Sequence, residues 1–284
     1  MTRDGEERGK GPIGVFDSGF GGLTILRDIK KRLPQYDYLY LGDNARAPYG
    51  TRSFDTVYEF TLEAVRELMM RGCPLVILAC NTASAKALRT IQQQDLPRME
   101  DPTRRVLGVI RPTAEAIGEL SQSRHIGIFA TPGTVNSRSY DIEISHLHKD
   151  FVTNSQACPM WVHLIENGQM DTPGADYFIQ KDTEALLAKD SEIDTVILGC
   201  THYPLIADKI KKYLPAHIKV VSQGSIVAKS LADYLIRHPE MERRLSKHEP
   251  EGIVTYLTTE HPERFDTLAS LFVGHSVESS HCAL

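Results

Sequence analysis

The chain has 284 residues, 41% of them hydrophobic and 24% charged, with a formal net charge of −5. A chain of this size and composition can bury a core large enough to fold without staples or metal, which excludes disorder, a collagen-like fibre and a coiled coil as its main architecture. The acidic balance and the lack of a dense Lys/Arg run point away from a nucleic-acid partner.

Residues 1–10 are polar and charged, without the apolar h-region of a signal peptide, and no apolar run nears the roughly 20 residues of a membrane span. A soluble cytoplasmic protein without membrane contact is expected. Residues 13–16 read as a first strand, followed by Gly19, Gly21 and Gly22 and a helix near residues 23–31. Residues 38–41 read as a second strand that runs into Gly42-Asp43-Asn44-Ala45-Arg46-Ala47-Pro48-Tyr49-Gly50. After Ser53, Phe54, Val57, Tyr58, Leu62, Val65, Leu68 and Met69 share one helical face, and Gly72 ends that helix. Residues 75–79 form a continuous apolar run, as a central parallel strand buried on both faces requires. Further strands are expected at 106–109, 125–129, 195–198 and 218–221. The alternation of strands and helices predicts an α/β fold.

An internal echo refines that prediction. Leu75-Val76-Ile77-Leu78-Ala79-Cys80-Asn81-Thr82 is answered by Thr195-Val196-Ile197-Leu198-Gly199-Cys200-Thr201-His202, and Ile13-Gly14-Val15-Phe16 by Ile126-Gly127-Ile128-Phe129. Two echoes in the same order predict two pseudosymmetric lobes, each a mostly parallel sheet flanked by helices, with an active site in the cleft between them. The crossovers fall near Arg111-Pro112 and Ser222-Gln223-Gly224. The first lobe is then 12–110 plus 222–273 and the second 111–221, with residues 1–11 and 274–284 as flexible tails.

The five cysteines include no CxxC pair, so free thiols in a reducing compartment are expected. Cys80 and Cys200 each stand one residue past a strand end, where ligands bind in open parallel sheets and where a helix N-terminus favours a thiolate. Cys73, Cys158 and Cys282 read as structural. Two half-sites facing each other, each with one acid/base thiol, suit inversion of a stereocentre: one group removes a proton from carbon while the other supplies one from the opposite face. A disulfide oxidoreductase would want its cysteines paired, and a cysteine hydrolase would want only one.

Four blocks carry a resemblance. They are Val15-Phe16-Asp17-Ser18-Gly19-Phe20-Gly21-Gly22-Leu23, Gly42 to Gly50, Ala79-Cys80-Asn81-Thr82-Ala83-Ser84, and Leu198-Gly199-Cys200-Thr201-His202-Tyr203-Pro204-Leu205. With these the chain resembles the glutamate racemases of the aspartate/glutamate racemase superfamily, over residues 12–272. The resemblance implies two pseudosymmetric α/β domains, no pyridoxal phosphate, no metal, and D-glutamate supplied to peptidoglycan. Carried over by block, Cys80 and Cys200 are the two catalytic bases. Asp17 and Ser18 hold the substrate ammonium and support the first thiol. The turn Pro48-Tyr49-Gly50 contacts the substrate carboxylate, and Asn81, Thr82 and Thr201 surround the carboxylates as donors. His202 and Glu166 assist the second thiol, while Asp43 occupies a matching position with no assigned chemistry. A homodimer is expected, with glutamate as the small-molecule partner and no cofactor.

The chain departs from the family pattern at Ser222-Gln223-Gly224, where an acidic residue is usual, and at Arg111-Pro112-Thr113, where small residues are usual. These bear on regulation and interdomain packing rather than on the catalytic blocks. Other readings are an aspartate racemase of the same superfamily and a non-catalytic metabolite- or nucleotide-binding protein. The glycines after Asp17 lack the Lys-Ser/Thr pair of a P-loop, and Thr24 stands where a dinucleotide fingerprint has its third glycine.

Overall fold

The computed structural model describes residues 9–284, so most of the expected N-terminal tail, residues 1–8, lies outside the described residues. The strands are β1 (Ile13–Asp17), β2 (Tyr38–Gly42), β3 (Leu75–Leu78), β4 (Arg105–Gly108), β5 (His125–Ala130), β6 (Val152–Ala157), β7 (Thr195–Gly199), β8 (Lys219–Val221), β9 (Val254–Thr258) and β10 (Ser279–His281). They form two sheets, ordered β10-β9-β2-β1-β3-β4 and β6-β5-β7-β8, in which every pairing between strands is parallel.

The pseudosymmetry is visible in these orders. Within the first sheet β2-β1-β3-β4 follows the same second-first-third-fourth pattern as β6-β5-β7-β8 in the second. The echoed segments are therefore equivalent strands: β1 answers to β5, and β3 to β7. Each thiol follows the third strand of its pattern, next to the first strand, where the chain reverses direction across the sheet and leaves a crevice at the carboxyl ends. The register completes the alignment. Phe16 pairs with Leu78 and Ala130 with Gly199, so the loops after β1 and β3, and those after β5 and β7, leave at one edge.

Helices cover both faces, which is why β1, β2, β3 and β7 are buried along their whole length and read as continuous apolar runs. Helix α1 (Gly22–Arg32) buries Leu23, Ile25, Leu26 and Ile29 in the same core as Val227, Ala228, Leu231 and Leu235 of α2 (Gly224–Arg237). Gly224 is needed for that approach, since a Cβ there would stand 2.0 Å from Asp28 Oδ2. The periodic segment after Ser53 is a helix over Phe54–Met70. The Ser53 hydroxyl accepts the Thr56 N–H at 3.2 Å as its N-cap, and Gly72, at φ +94°, lies just beyond its end.

Two expectations change. Residues 274–284 are not a loose tail: Ser279–His281 add a parallel strand to β9, and Val277 and Cys282 are buried. At the other end, Gly11 bridges to Leu245. Val277 and Cys282 flank the strand and bury their apolar side chains in two different core clusters, which anchors the C-terminus on both sides of β10. Strand β6 was not expected because Thr153, Asn154, Ser155 and Gln156 are polar; it lies at a sheet edge and is half-buried.

Candidate active site

The carboxyl ends of the two sheets face each other across a cleft. Ser18, Pro48, Tyr49, Gly50, Cys80, Asn81, Thr82, Glu166, Cys200, Thr201 and His202 all line the one pocket between them. Asp17 stands behind this wall, fully buried. Its Oδ2 accepts the Gly19 N–H at 2.9 Å, and its Oδ1 accepts the Thr201 hydroxyl of the other lobe at 3.4 Å. The cavity measures about 30 Å³, room for roughly two waters.

Around the first thiol, Cys80 is the N-cap of a short helix, Asn81–Lys86, and its sulfur accepts the Ala83 N–H at 3.4 Å. The Ser18 hydroxyl lies 3.3 Å from the same sulfur. The expectation that a helix start eases ionisation is outweighed here. Burial first, and the charge of Asp17 second, push the Cys80 thiol up to about 12 despite the hydrogen bonds from Ser18 and Ala83. Burial also raises the Asp17 carboxyl above its ordinary range, against the pull of His202 and the Gly22 and Gly19 amides.

The second thiol has a different neighbourhood. Cys200 Sγ is 3.9 Å from His202 Nδ1, and His202 Nε2 is 2.9 Å from Glu166 Oε1. Burial disfavours a charged imidazole, but the hydrogen bonds with Cys200 and Glu166 and their negative charges outweigh it and raise His202 to about 10. Thiol, imidazole and carboxylate thus form a chain in which the histidine holds its proton through neutral pH. Glu166, which as an isolated helical glutamate would pass for a solvated residue, ends its helix (Trp161–Glu166) beside Gly19, where a Cβ would stand 3.3 Å from its Oε1.

Asp43, whose chemistry was unassigned, is a fully buried anchor for the Pro48-Tyr49-Gly50 turn. It accepts hydrogen bonds from Tyr49 Oη, from Arg46 Nε at 2.7 Å and from Thr259 Oγ1 at 2.8 Å. The turn in turn touches the second lobe through Gly133 N–H donating to Gly50 O at 2.7 Å.

Sequence reasoning missed Thr131 and Cys158 as pocket-lining groups. Thr131 Oγ1 lies 2.9 Å from Thr82 Oγ1. The internal echo carried the signal for it: Thr131 follows β5 as Ser18 follows β1. Cys158 lines the wall yet is 1% exposed, and burial pushes its thiol far up, so it remains a structural group. Cys73 and Cys282 are buried away from the pocket. Among the described residues, no three His, Cys, Asp or Glu side chains converge as metal ligands, and no helix is long and apolar enough to cross a membrane.

Residues 14–231 match the profile of the Asp/Glu/Hydantoin racemase family. The glutamate racemase of Roseobacter denitrificans is 43% identical over 278 residues, covering 94% of this chain and 98% of the relative. Among solved structures, glutamate racemase isoform RacE1 from Bacillus anthracis superposes with a TM-score of 0.87 at 32% identity, covering 97% of this chain and 98% of that one. The glutamate racemase from Francisella tularensis in complex with D-glutamate gives 0.81 at 28% identity, covering 96% of this chain and 98% of that one.

Proposed function

The chain belongs to the Asp/Glu/Hydantoin racemase family, and from that premise we propose that it interconverts L- and D-glutamate by proton transfer between Cα and two thiols, Cys80 and Cys200. One thiolate takes the Cα proton, the electron pair stays on Cα, and the opposite thiol delivers its proton to the other face. The configuration inverts, and the two sulfurs exchange protonation states. No electrons leave the substrate and no covalent intermediate forms, so neither a redox cofactor nor a metal is required by the chemistry.

Each neighbour has a place in this reading. His202 as imidazolium stabilises the Cys200 thiolate, and Glu166 keeps the imidazole charged and oriented. Asp17, sealed behind the wall, is not a contact for the substrate ammonium as the resemblance implied; an ammonium beside Ser18 would offset from the pocket side the negative charge that burdens Cys80. It thereby lowers the cost of the first thiolate only when substrate is bound. Asn81, Thr82 and Thr201, with the Pro48-Tyr49-Gly50 turn, hold the two carboxylates. The N–H groups at the start of the Asn81–Lys86 helix offer donors for an anion. The product D-glutamate would supply peptidoglycan, from a cytoplasmic homodimer.

The observation that carries the reading is that two thiols at equivalent positions of two repeated lobes line one pocket, in a chain 43% identical to a glutamate racemase. The test is circular dichroism of L-glutamate with purified, reduced protein after exhaustive chelation and with no cofactor added. Convergence to the racemate is expected. A folded protein that leaves L-glutamate unchanged overturns the proposal, and a specificity constant for aspartate equal to or above that for glutamate assigns the activity to aspartate instead.

A further inference from the structure

The departure at Ser222-Gln223-Gly224 has a structural counterpart. Gln223 is 2% exposed and lies at the start of α2, where the chain leaves the second sheet. Its Oε1 accepts Asn81 Nδ2 at 2.7 Å; Asn81 Oδ1 accepts the Tyr140 hydroxyl at 2.7 Å; and the Tyr140 oxygen accepts Gln223 Nε2 at 2.7 Å. The three bonds close a ring in which every donor meets an acceptor. Flipping Gln223 alone sets donor against donor, flipping Asn81 alone sets acceptor against acceptor, and flipping both would turn Gln223 Oε1 onto the carbonyl of Val109, so the ring with that carbonyl admits one arrangement. Gln223 Nε2 also faces Thr113 Oγ1 at 2.9 Å and Val109 O at 3.3 Å, which join it to the other interlobe crossover.

The ring spans the two half-sites. Asn81 is the peptide neighbour of Cys80. Tyr140 lies in the helix Ser139–Leu147 of the second lobe, and its ring packs on Gly199, the peptide neighbour of Cys200, where a Cβ would stand 3.2 Å from Tyr140 Cε2. We propose that Gln223 is a positioning residue that sets the separation of Cys80 and Cys200 across the substrate, through this buried ring and the two crossovers it pins together. The proposal rests on the two-thiol reading above.

Racemisation needs both sulfurs within reach of the same carbon, and a misplacement of about 1 Å costs on the order of a hundredfold. Elimination from glutamate carrying chloride at C3 needs only one. A thiolate takes the Cα proton, the freed electron pair forms the Cα–Cβ double bond, and chloride leaves with the C–Cl pair. A residue that governs the register of the two thiols therefore affects inversion far more than elimination, whereas a residue that merely supports the fold affects both alike.

The variants are Gln223→Glu, which keeps the shape but replaces the Nε2 donor with an acceptor facing Tyr140, Thr113 and Val109 O, and Tyr140→Phe, which removes only the hydroxyl. With Gln223→Glu, kcat for racemisation is expected to fall about tenfold or more, and with Tyr140→Phe about threefold or more. Chloride release stays within about threefold of the unsubstituted protein in both, and the double variant is no worse than Gln223→Glu, because the ring is one unit. Should Gln223→Glu not fold, Tyr140→Phe with its chloride-release control decides the question alone. Parallel loss of inversion and elimination, or unchanged racemisation in Tyr140→Phe, overturns this assignment while leaving the racemase reading intact. An unsubstituted protein that does not racemise glutamate overturns that reading, and this one with it.

Discussion

The carboxylate of Asp43 and the hydroxyl of Tyr49 are hydrogen-bonded inside the protein, with Asp43 fully buried and Tyr49 1% exposed. Burial, and then the charge of Asp43, holds the Tyr49 phenol protonated far above its ordinary range. The pair ties the end of β2 to the pocket turn, and Arg46 and Thr259 complete the carboxylate's partners.

Removing the phenol should loosen that tie. Tyr49→Phe is expected to lower stability by about 1–3 kcal/mol, because it leaves a buried carboxylate oxygen with one donor fewer. Asp43→Ala should cost more, about 2–4 kcal/mol, since it leaves the buried Tyr49 hydroxyl without its acceptor and takes from the partly buried Arg46 one of its two carboxylate partners, Glu63 remaining. Urea unfolding measures both; a Tyr49→Phe midpoint equal to the parent's would show that the bond contributes nothing.

The two thiols should divide the work. Cys80→Ala and Cys200→Ala are each expected to lose racemisation, since inversion needs a donor and an acceptor on opposite faces. Each variant should still release chloride from one enantiomer of the C3-chloro analogue, and the two variants should prefer opposite enantiomers. The family resemblance implies that Cys80 acts on D-glutamate and Cys200 on L-glutamate. Both variants favouring the same enantiomer would rule out the two-base arrangement.

His202 gives the pH dependence. Its folded value of about 10 lies above its ordinary 6.5, so the native state binds this proton more tightly than the unfolded chain does. That stabilisation is complete below about pH 6.5 and is lost as pH rises towards 10. Glu166→Gln removes one cause of the rise. The alkaline limb of kcat/KM should move down by about one unit or more, and the stability gap to the parent should shrink above pH 10. An alkaline limb that does not move would detach Glu166 from the titration of His202.

Gly21 holds the two lobes in contact. A Cβ there would stand 2.2 Å from Thr201 Oγ1 and 2.5 Å from His202 Nδ1, while its backbone, at φ −59°, accepts any residue. Gly21→Ala is therefore expected to leave the fold of each lobe intact but displace the Cys200 loop, lowering kcat/KM by about a hundredfold. Steady-state kinetics beside a thermal melt tests this; near-parental kinetics would mean that the lobes accommodate the methyl at no catalytic cost.

Much of the architecture was legible in the residues themselves. Strands β1, β3, β5 and β7 announced themselves because a central parallel strand, covered on both faces, must be continuously apolar. The repeat of those strands pointed to two lobes, and the cysteine after each third strand pointed to the cleft. Strands β6 and β10 were not legible because their polar residues, Thr153 to Gln156 and Ser279 to His281, carry no apolar run or alternation, and β9, inside the first sheet, was also not read. Nor could local pattern reveal that Asp17 is sealed behind the wall, that Glu166 meets His202, or that Gln223 closes a ring with Asn81 and Tyr140. Periodicity records which face of an element is buried. Which polar groups meet across the cleft depends on how two separately folded sheets are set against each other, and in this chain only the tertiary structure decided that.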